Sequence, residues 1–107
     1  MSDATPEISV ETFAAEREDG TTVDVREPAE YVEGHVPGAL LVPMGRLAAR
    51  AGELDPGRRV HVICASGNRS RAMTDLLVAM GFDAVSVAGG TRGWITSGRE
   101  VRTGTTP

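Results

Sequence analysis

A single cysteine closes an apolar run and opens a polar one. Val60-His61-Val62-Ile63 leads into Cys64-Ala65-Ser66-Gly67-Asn68-Arg69-Ser70-Arg71. The pattern predicts a strand, a tight loop and a helix beginning near Arg69 or Ser70. Small residues at Ala65, Ser66 and Gly67 let the backbone curl around the sulfur, so that successive N–H groups point inward as an anion-binding nest. The helix adds its unpaired N–H groups and positive dipole end at the same place. No acid falls between Ala65 and Arg71, and two arginines do. A thiol at a helix N-terminus near cations is pushed toward its thiolate. Cys64 is therefore a candidate nucleophile, set against the plainer reading of a small buried hydrophobe at the end of a core strand.

Elements on either side must hold that loop. Upstream, Met1 to Glu7 is expected as a flexible lead-in, Ile8 to Val10 as a short strand and Glu11 to Glu18 as an acidic helix with Phe13 and Ala14 facing inward. Thr21 to Val25 is predicted as a strand, and Pro28 as the opening residue of a helix, where its missing N–H does no harm. Ala39 to Val42 is another strand, and Arg46 to Ala51 a small helix capped by Gly52. Val60 to Ile63 is apolar enough for a strand covered on both faces. Beyond the loop, Ala72, Met73, Leu76, Leu77 and Met80 recur at helical spacing and mark the strongest amphipathic segment. Ala84 to Val87 follows as a strand, and the Gly89-Gly90-Thr91-Arg92-Gly93 turn leads into a last short helix bearing Trp94. Strands alternating with helices imply right-handed crossovers and a largely parallel sheet with helices on both sides. Ligands bind at the carboxyl edge of such sheets. Arg26, Pro43, Cys64 and the Gly89 to Arg92 turn are thus expected around one crevice.

Composition narrows the partners. The 107 residues suit one domain, with residues 102–107 expected as a flexible tail. One cysteine excludes an internal disulfide and a multi-thiol metal site, and His35 and His61 are too few to build one; no metal is expected. No leader-like start and no run of membrane-spanning length are present, which points to a soluble, cytoplasmic chain. Residues 1–33 hold ten acids against two arginines, and residues 34–107 hold five against nine, so the part carrying Cys64 is the positive one. All eleven basic residues are arginine, which suits planar oxyanion recognition. This excess is too small, and the chain too poor in aromatics, for a nucleic-acid partner.

Three motifs resemble the single-domain rhodanese-like sulfurtransferase family: Val23-Asp24-Val25-Arg26-Glu27-Pro28-Ala29-Glu30-Tyr31 running to Gly34-His35-Val36-Pro37-Gly38-Ala39, then Cys64 to Ser70, then Gly89-Gly90-Thr91-Arg92-Gly93-Trp94 with Gly98 and Val101. The resemblance implies a rhodanese-like α/β domain with a five-stranded sheet. It also implies that Cys64 takes a sulfane sulfur from a donor such as thiosulfate, carries it as a persulfide and passes it to cyanide or a thiol, with no organic cofactor; separately, a monomer is expected. Ala65, Ser66, Gly67, Asn68, Arg69 and Ser70 would form the substrate-binding loop. That loop departs from thiosulfate-specialised members, which carry more positive charge after the cysteine, so the donor stays open. The partners expected are a small sulfur donor and acceptor, among them a protein or low-molecular-weight thiol; a sulfur carrier or regulatory binding module that docks a partner with low turnover is the second reading. Cysteine phosphatases of similar fold are the third, but their loop is one residue longer than the four residues between Cys64 and Arg69.

Other residues have structural expectations. Asp24 and an Arg26/Glu30 pair are expected to fix the strand end and the turn after it. His35 and His61 are expected to pack, Trp94 to lie beneath the crevice, Arg92 to sit at its mouth or in solvent, and Arg69 to reach the pocket or its rim rather than pair with an acid.

Overall fold

Side chains alternate along Val60 to Ile63 between two layers, and the architecture follows from covering both. The computed structural model describes residues 4–107. Along the chain run β1 (Glu7–Ile8), α1 (Val10–Glu16), β2 (Thr21–Asp24), α2 (Pro28–Glu33), β3 (Leu40–Leu41), α3 (Leu47–Arg50), β4 (Val60–Ile63), α4 (Asn68–Ala79), β5 (Ala84–Val87) and α5 (Gly90–Thr96). The five strands pair in the order β1-β5-β4-β2-β3, every pair parallel. Val62 of the central β4 stands beside Val23 of β2 and Ser86 of β5. Every residue of β4 is buried, as a strand with helices on both sides requires.

One layer takes Val60, Val62 and Cys64 together with Val23, Leu47 and Leu77, so it lies under α3 and α4. The opposite layer takes Ile63 and Val87 with Phe13, Tyr31 and Trp94, under α1, α2 and α5. From β2 the chain steps outward to β3, and from β4 it steps the other way to β5. The ends of β2 and β4 therefore border the point where the winding reverses, which is where an open α/β sheet leaves a crevice.

Several local expectations are corrected. The first strand is Glu7–Ile8, because Ser9 turns to cap α1, its hydroxyl accepting from the N–H of Thr12 at 3.0 Å, and Val10 is already helical. Of the expected lead-in, residues 1–3 lie outside the described part, and the Pro6 carbonyl accepts from the N–H of Ser86 at 2.9 Å. Gly52 caps nothing. The small helix tightens into a 3-10 turn at Ala51–Glu53 that ends at Leu54. Of the apolar residues expected along α4, Met73, Leu76 and Leu77 face the core, but Ala72 and the C-cap Met80 are exposed, and Ser70 and Thr74 are buried beside them.

The segment 102–107 is laid against the domain instead of hanging free. His35 and Arg102 exchange backbone hydrogen bonds at 2.9 and 2.8 Å, and the N–H of Gly104 donates to the Val32 carbonyl at 2.8 Å. The His35 ring stacks on Tyr31 with centroids 3.6 Å apart. Its Nδ1 and Nε2 lie 2.8 Å from the carbonyl oxygens of Tyr31 and Thr106 respectively. His35 is thus structural, as is His61, whose Nε2 meets Glu16 Oε1 at 2.9 Å and whose ring packs on Phe13.

Candidate active site

The strand β4 delivers Cys64 to the crevice floor, where it is 1% exposed. The next three residues turn back sharply. Gly67 ends the turn at φ +113°, a left-handed conformation in which a side chain would be strained, and Asn68 begins α4. The loop is held from outside by α5. The N–H of Thr91 donates to the Cys64 carbonyl at 2.8 Å and the N–H of Arg92 to the Ala65 carbonyl at 3.0 Å. This close approach needs Gly90, at φ +60°, because a Cβ there would collide with both loop carbonyl oxygens. With its carbonyls engaged outward, the loop has its N–H groups free to turn inward.

They turn toward the sulfur. The N–H of Gly67 donates to Sγ at 3.1 Å, and the Ser70 hydroxyl oxygen lies 3.4 Å from it. Burial pushes the Cys64 pKa up, but hydrogen bonds from the Ser70 hydroxyl and from the N–H groups of Ser70, Gly67 and Ser66 outweigh it, so the net shift is downward. The expectation of a depressed pKa holds, with the nest and a hydroxyl as its source. Ser70 is supported in turn by Ser86 of β5, whose Oγ lies 2.8 Å from its own; both residues are fully buried. A hydroxyl has a single proton. With a neutral thiol, Ser70 can accept from sulfur and donate to the Gly67 carbonyl 3.1 Å away. With a thiolate, Ser70 donates to sulfur and Ser86 donates to Ser70. The pair thus accommodates either protonation state by rotating hydroxyls alone.

The loop residues named from the sequence separate into distinct roles. Ser66, Gly67 and Ser70 supply hydrogen bonds to the sulfur, Ala65 lines the adjoining cavity, and Asn68 is exposed at the start of α4. Arg69 does not place its fork in the pocket. Its two terminal nitrogens donate to the Glu30 carboxylate at 2.7 and 2.9 Å. That pairing holds the Glu30 carboxyl at about 2, well below its usual range, and pushes the Arg69 pKa up. Glu30 also accepts from the N–H of Glu27 at 3.0 Å in a capping box that starts α2. The pair therefore ties α2 to α4 across the crevice. The expected Arg26/Glu30 pair is replaced by Arg26 with Asp24, at 2.8 Å and buried, and Arg26 also donates to the Gly34 carbonyl at 2.8 Å. Arg92 is exposed at the mouth and lines the cavity. Trp94 packs edge-on against Phe13 in the core.

Sequence reasoning missed Ser86. A serine within an otherwise apolar strand is the signal that could have found it, since a buried hydroxyl needs a partner. It also missed Glu30 as the partner of Arg69. Among the described residues, no group of three or more metal-ligating side chains gathers anywhere.

These features belong to a known class. Residues 9–97 match the family model for the Rhodanese-like domain, and the chain belongs to that family. It is 36% identical over 85 residues to a protein named "Sulfurtransferase" from Allochromatium vinosum, covering 78% of this chain and 79% of that one. It is 37% identical over 93 residues to the Bacillus subtilis protein named "Putative sulfur carrier protein YrkF", covering 83% of this chain but only 50% of that relative's length. Among solved structures, a rhodanese-related protein from Thermoplasma volcanium superposes with a TM-score of 0.86 at 32% identity, over 90% of this chain and 96% of that one. Thiosulfate sulfurtransferase from Pseudomonas aeruginosa gives 0.83 at 31% identity, over 95% of this chain and 21% of that one. No helix among the described residues is long and apolar enough to cross a membrane.

Proposed function

We propose that the protein is a sulfurtransferase in which Cys64 accepts a sulfane sulfur and carries it as a persulfide. The observation that carries this is the inward ring of N–H and hydroxyl donors around a buried thiol whose pKa is lowered. With thiosulfate, the thiolate attacks the outer sulfur, the sulfur–sulfur bond of the donor breaks, and sulfite leaves with the bonding pair. The terminal sulfur now bears the negative charge, and the same donors stabilise it. Cyanide or a thiolate then attacks that terminal sulfur and returns Cys64 as thiolate. Two half-reactions sharing one covalent intermediate give ping-pong kinetics.

A cysteine phosphatase is disfavoured on two grounds. The loop is short for a phosphoryl group, and Arg69, which would have to grip its oxygens, is engaged by Glu30. A sulfur carrier is the second reading, supported by the name of the Bacillus subtilis relative. Intact-mass spectrometry tests the chemistry: thiosulfate is expected to add one sulfur atom that cyanide then removes. Cys64→Ser is expected to add none while melting like the parent. Sulfur gained by the serine variant would overturn the assignment, and single loading without sustained turnover would favour the carrier.

A further inference from the structure

Beside the sulfur loop lies a cavity of about 240 Å³ whose wall includes Ala65, the residue after the nucleophile. Four charged side chains line it: Arg26, Glu30, Glu33 and Arg92. Arg26 is engaged by Asp24, and Glu30 by Arg69. That leaves Arg92 and Glu33, opposite in sign and both exposed. Among the described residues neither side chain has a hydrogen bond or an ion pair. Thr91 also lines the cavity; it is 2% exposed, and its hydroxyl has no partner. One turn further along α5, Ile95 adds an apolar wall that is 51% exposed. Backbone bonds from Thr91 and Arg92 to the Cys64 and Ala65 carbonyls hold this wall in register with the sulfur.

The charge balance of the mouth favours one kind of occupant. With Asp24 and Arg69 included, cations and anions are equal in number, so the side chains of the mouth carry no net charge. It offers instead a cation and an anion without partners among the described residues, and an apolar strip. We propose that this cavity is the acceptor subsite, and that Arg92 and Glu33 select a small thiol bearing both a carboxylate and an ammonium group on a short carbon chain. The proposal rests on the persulfide reading above. The carboxylate lies against the Arg92 guanidinium, which suits a planar anion, and the ammonium lies against Glu33. The acceptor thiol loses its proton to water, and its thiolate attacks the terminal sulfur of the Cys64 persulfide. The new bond joins acceptor sulfur to terminal sulfur; the bond to Sγ breaks with its electron pair returning to Cys64. Products are the acceptor persulfide anion and the Cys64 thiolate, with no net oxidation.

Discharge of the sulfur-loaded protein tests this, followed by intact mass with the acceptors compared at equal thiolate concentration. Cysteine carries both groups, cysteamine lacks the carboxylate, mercaptopropionate lacks the ammonium, and mercaptoethanol lacks both. Because a more basic thiolate is the better nucleophile, each constant is compared with that of the same thiol on Arg92→Glu. Cysteine and mercaptopropionate are expected to lose about two- to fivefold in Arg92→Glu, while cysteamine gains and mercaptoethanol is little changed. The same parent-to-variant ratio for all four thiols would overturn the subsite while leaving the persulfide chemistry intact. Failure of both thiosulfate and polysulfide to load Cys64 would instead overturn the persulfide reading and this proposal with it.

Discussion

Replacing Ser70 with alanine removes the hydroxyl that lies 3.4 Å from the Cys64 sulfur. A hydrogen bond to a charged group contributes about 1.5–3 kcal/mol, and one to a neutral group about 0.5–1.5 kcal/mol. Ser70 serves both states of the thiol, so what matters for ionisation is the difference, about 1–1.5 kcal/mol. That difference corresponds to about a tenfold shift of the thiol–thiolate balance toward thiol. The N–H groups of Ser66, Gly67 and residue 70 persist in the variant, so the nest remains and the thiolate is weakened without being lost. The rate of alkylation by iodoacetamide measured against pH reads the balance directly. Its inflection is expected at higher pH in Ser70→Ala, with sulfur loading at neutral pH slowed in proportion to the thiolate lost. Ser86→Ala is expected to move the inflection the same way by less, because Ser86 reaches the sulfur only through Ser70. An inflection unchanged or lowered in Ser70→Ala would refute the account of how this cysteine is activated.

The ion pair across the crevice has an acid signature. The Glu30 pKa is lowered to about 2 in the folded state, so its contribution is present above the ordinary carboxylate value of 4.5 and is lost as pH falls through about 2. The melting temperature of Glu30→Gln is therefore expected to fall less between pH 5 and pH 2 than that of the parent, with a difference at neutral pH of about 1 kcal/mol because both side chains are about one-third exposed. Equal acid sensitivity in the two proteins would sink this assignment. Gly90→Ala must displace the sulfur loop or α5, and is expected to cost at least about 2 kcal/mol in denaturant unfolding and to impair loading. Wild-type stability in that variant would mean that the loop is not pinned by α5. Finally, p-nitrophenyl phosphate is expected to stay unhydrolysed under conditions where thiosulfate loads Cys64. Turnover that requires Cys64 would revive the phosphatase reading.

What the sequence revealed, and what it hid, divides along the distance over which the determining contacts act. The strand Val60 to Ile63, the loop after it and the helix beyond are local patterns, and they stand where periodicity and glycine placement put them. The Arg69–Glu30 pair spans 39 positions, and no charge count along the chain distinguishes that partner from the other acids. The buried face of α4 is legible at Met73, Leu76 and Leu77, which reach the core, but not in its first turn. Its first turn packs over the sulfur loop and Ser86, so Ser70 and Thr74 go inward where apolar spacing would have put Ala72. The segment 102–107 has no apolar signal at all. It is held by backbone bonds to Val32 and His35, which composition does not record.

The donors around Cys64 are buried peptide and hydroxyl groups rather than mobile cations, and this separates the two halves of its chemistry by their response to ionic strength. Counterions screen exposed charges beyond about 8–10 Å at physiological concentrations, but they do not enter a cradle in which the sulfur itself is 1% exposed. The stabilisation of the thiolate is therefore set by the fold and is expected to respond less to electrolyte than an exposed ion pair does. Capture of a charged substrate at the proposed Arg92 mouth has no such protection and is expected to weaken as electrolyte is added. Added electrolyte is thus expected to act on docking more than on the sulfur.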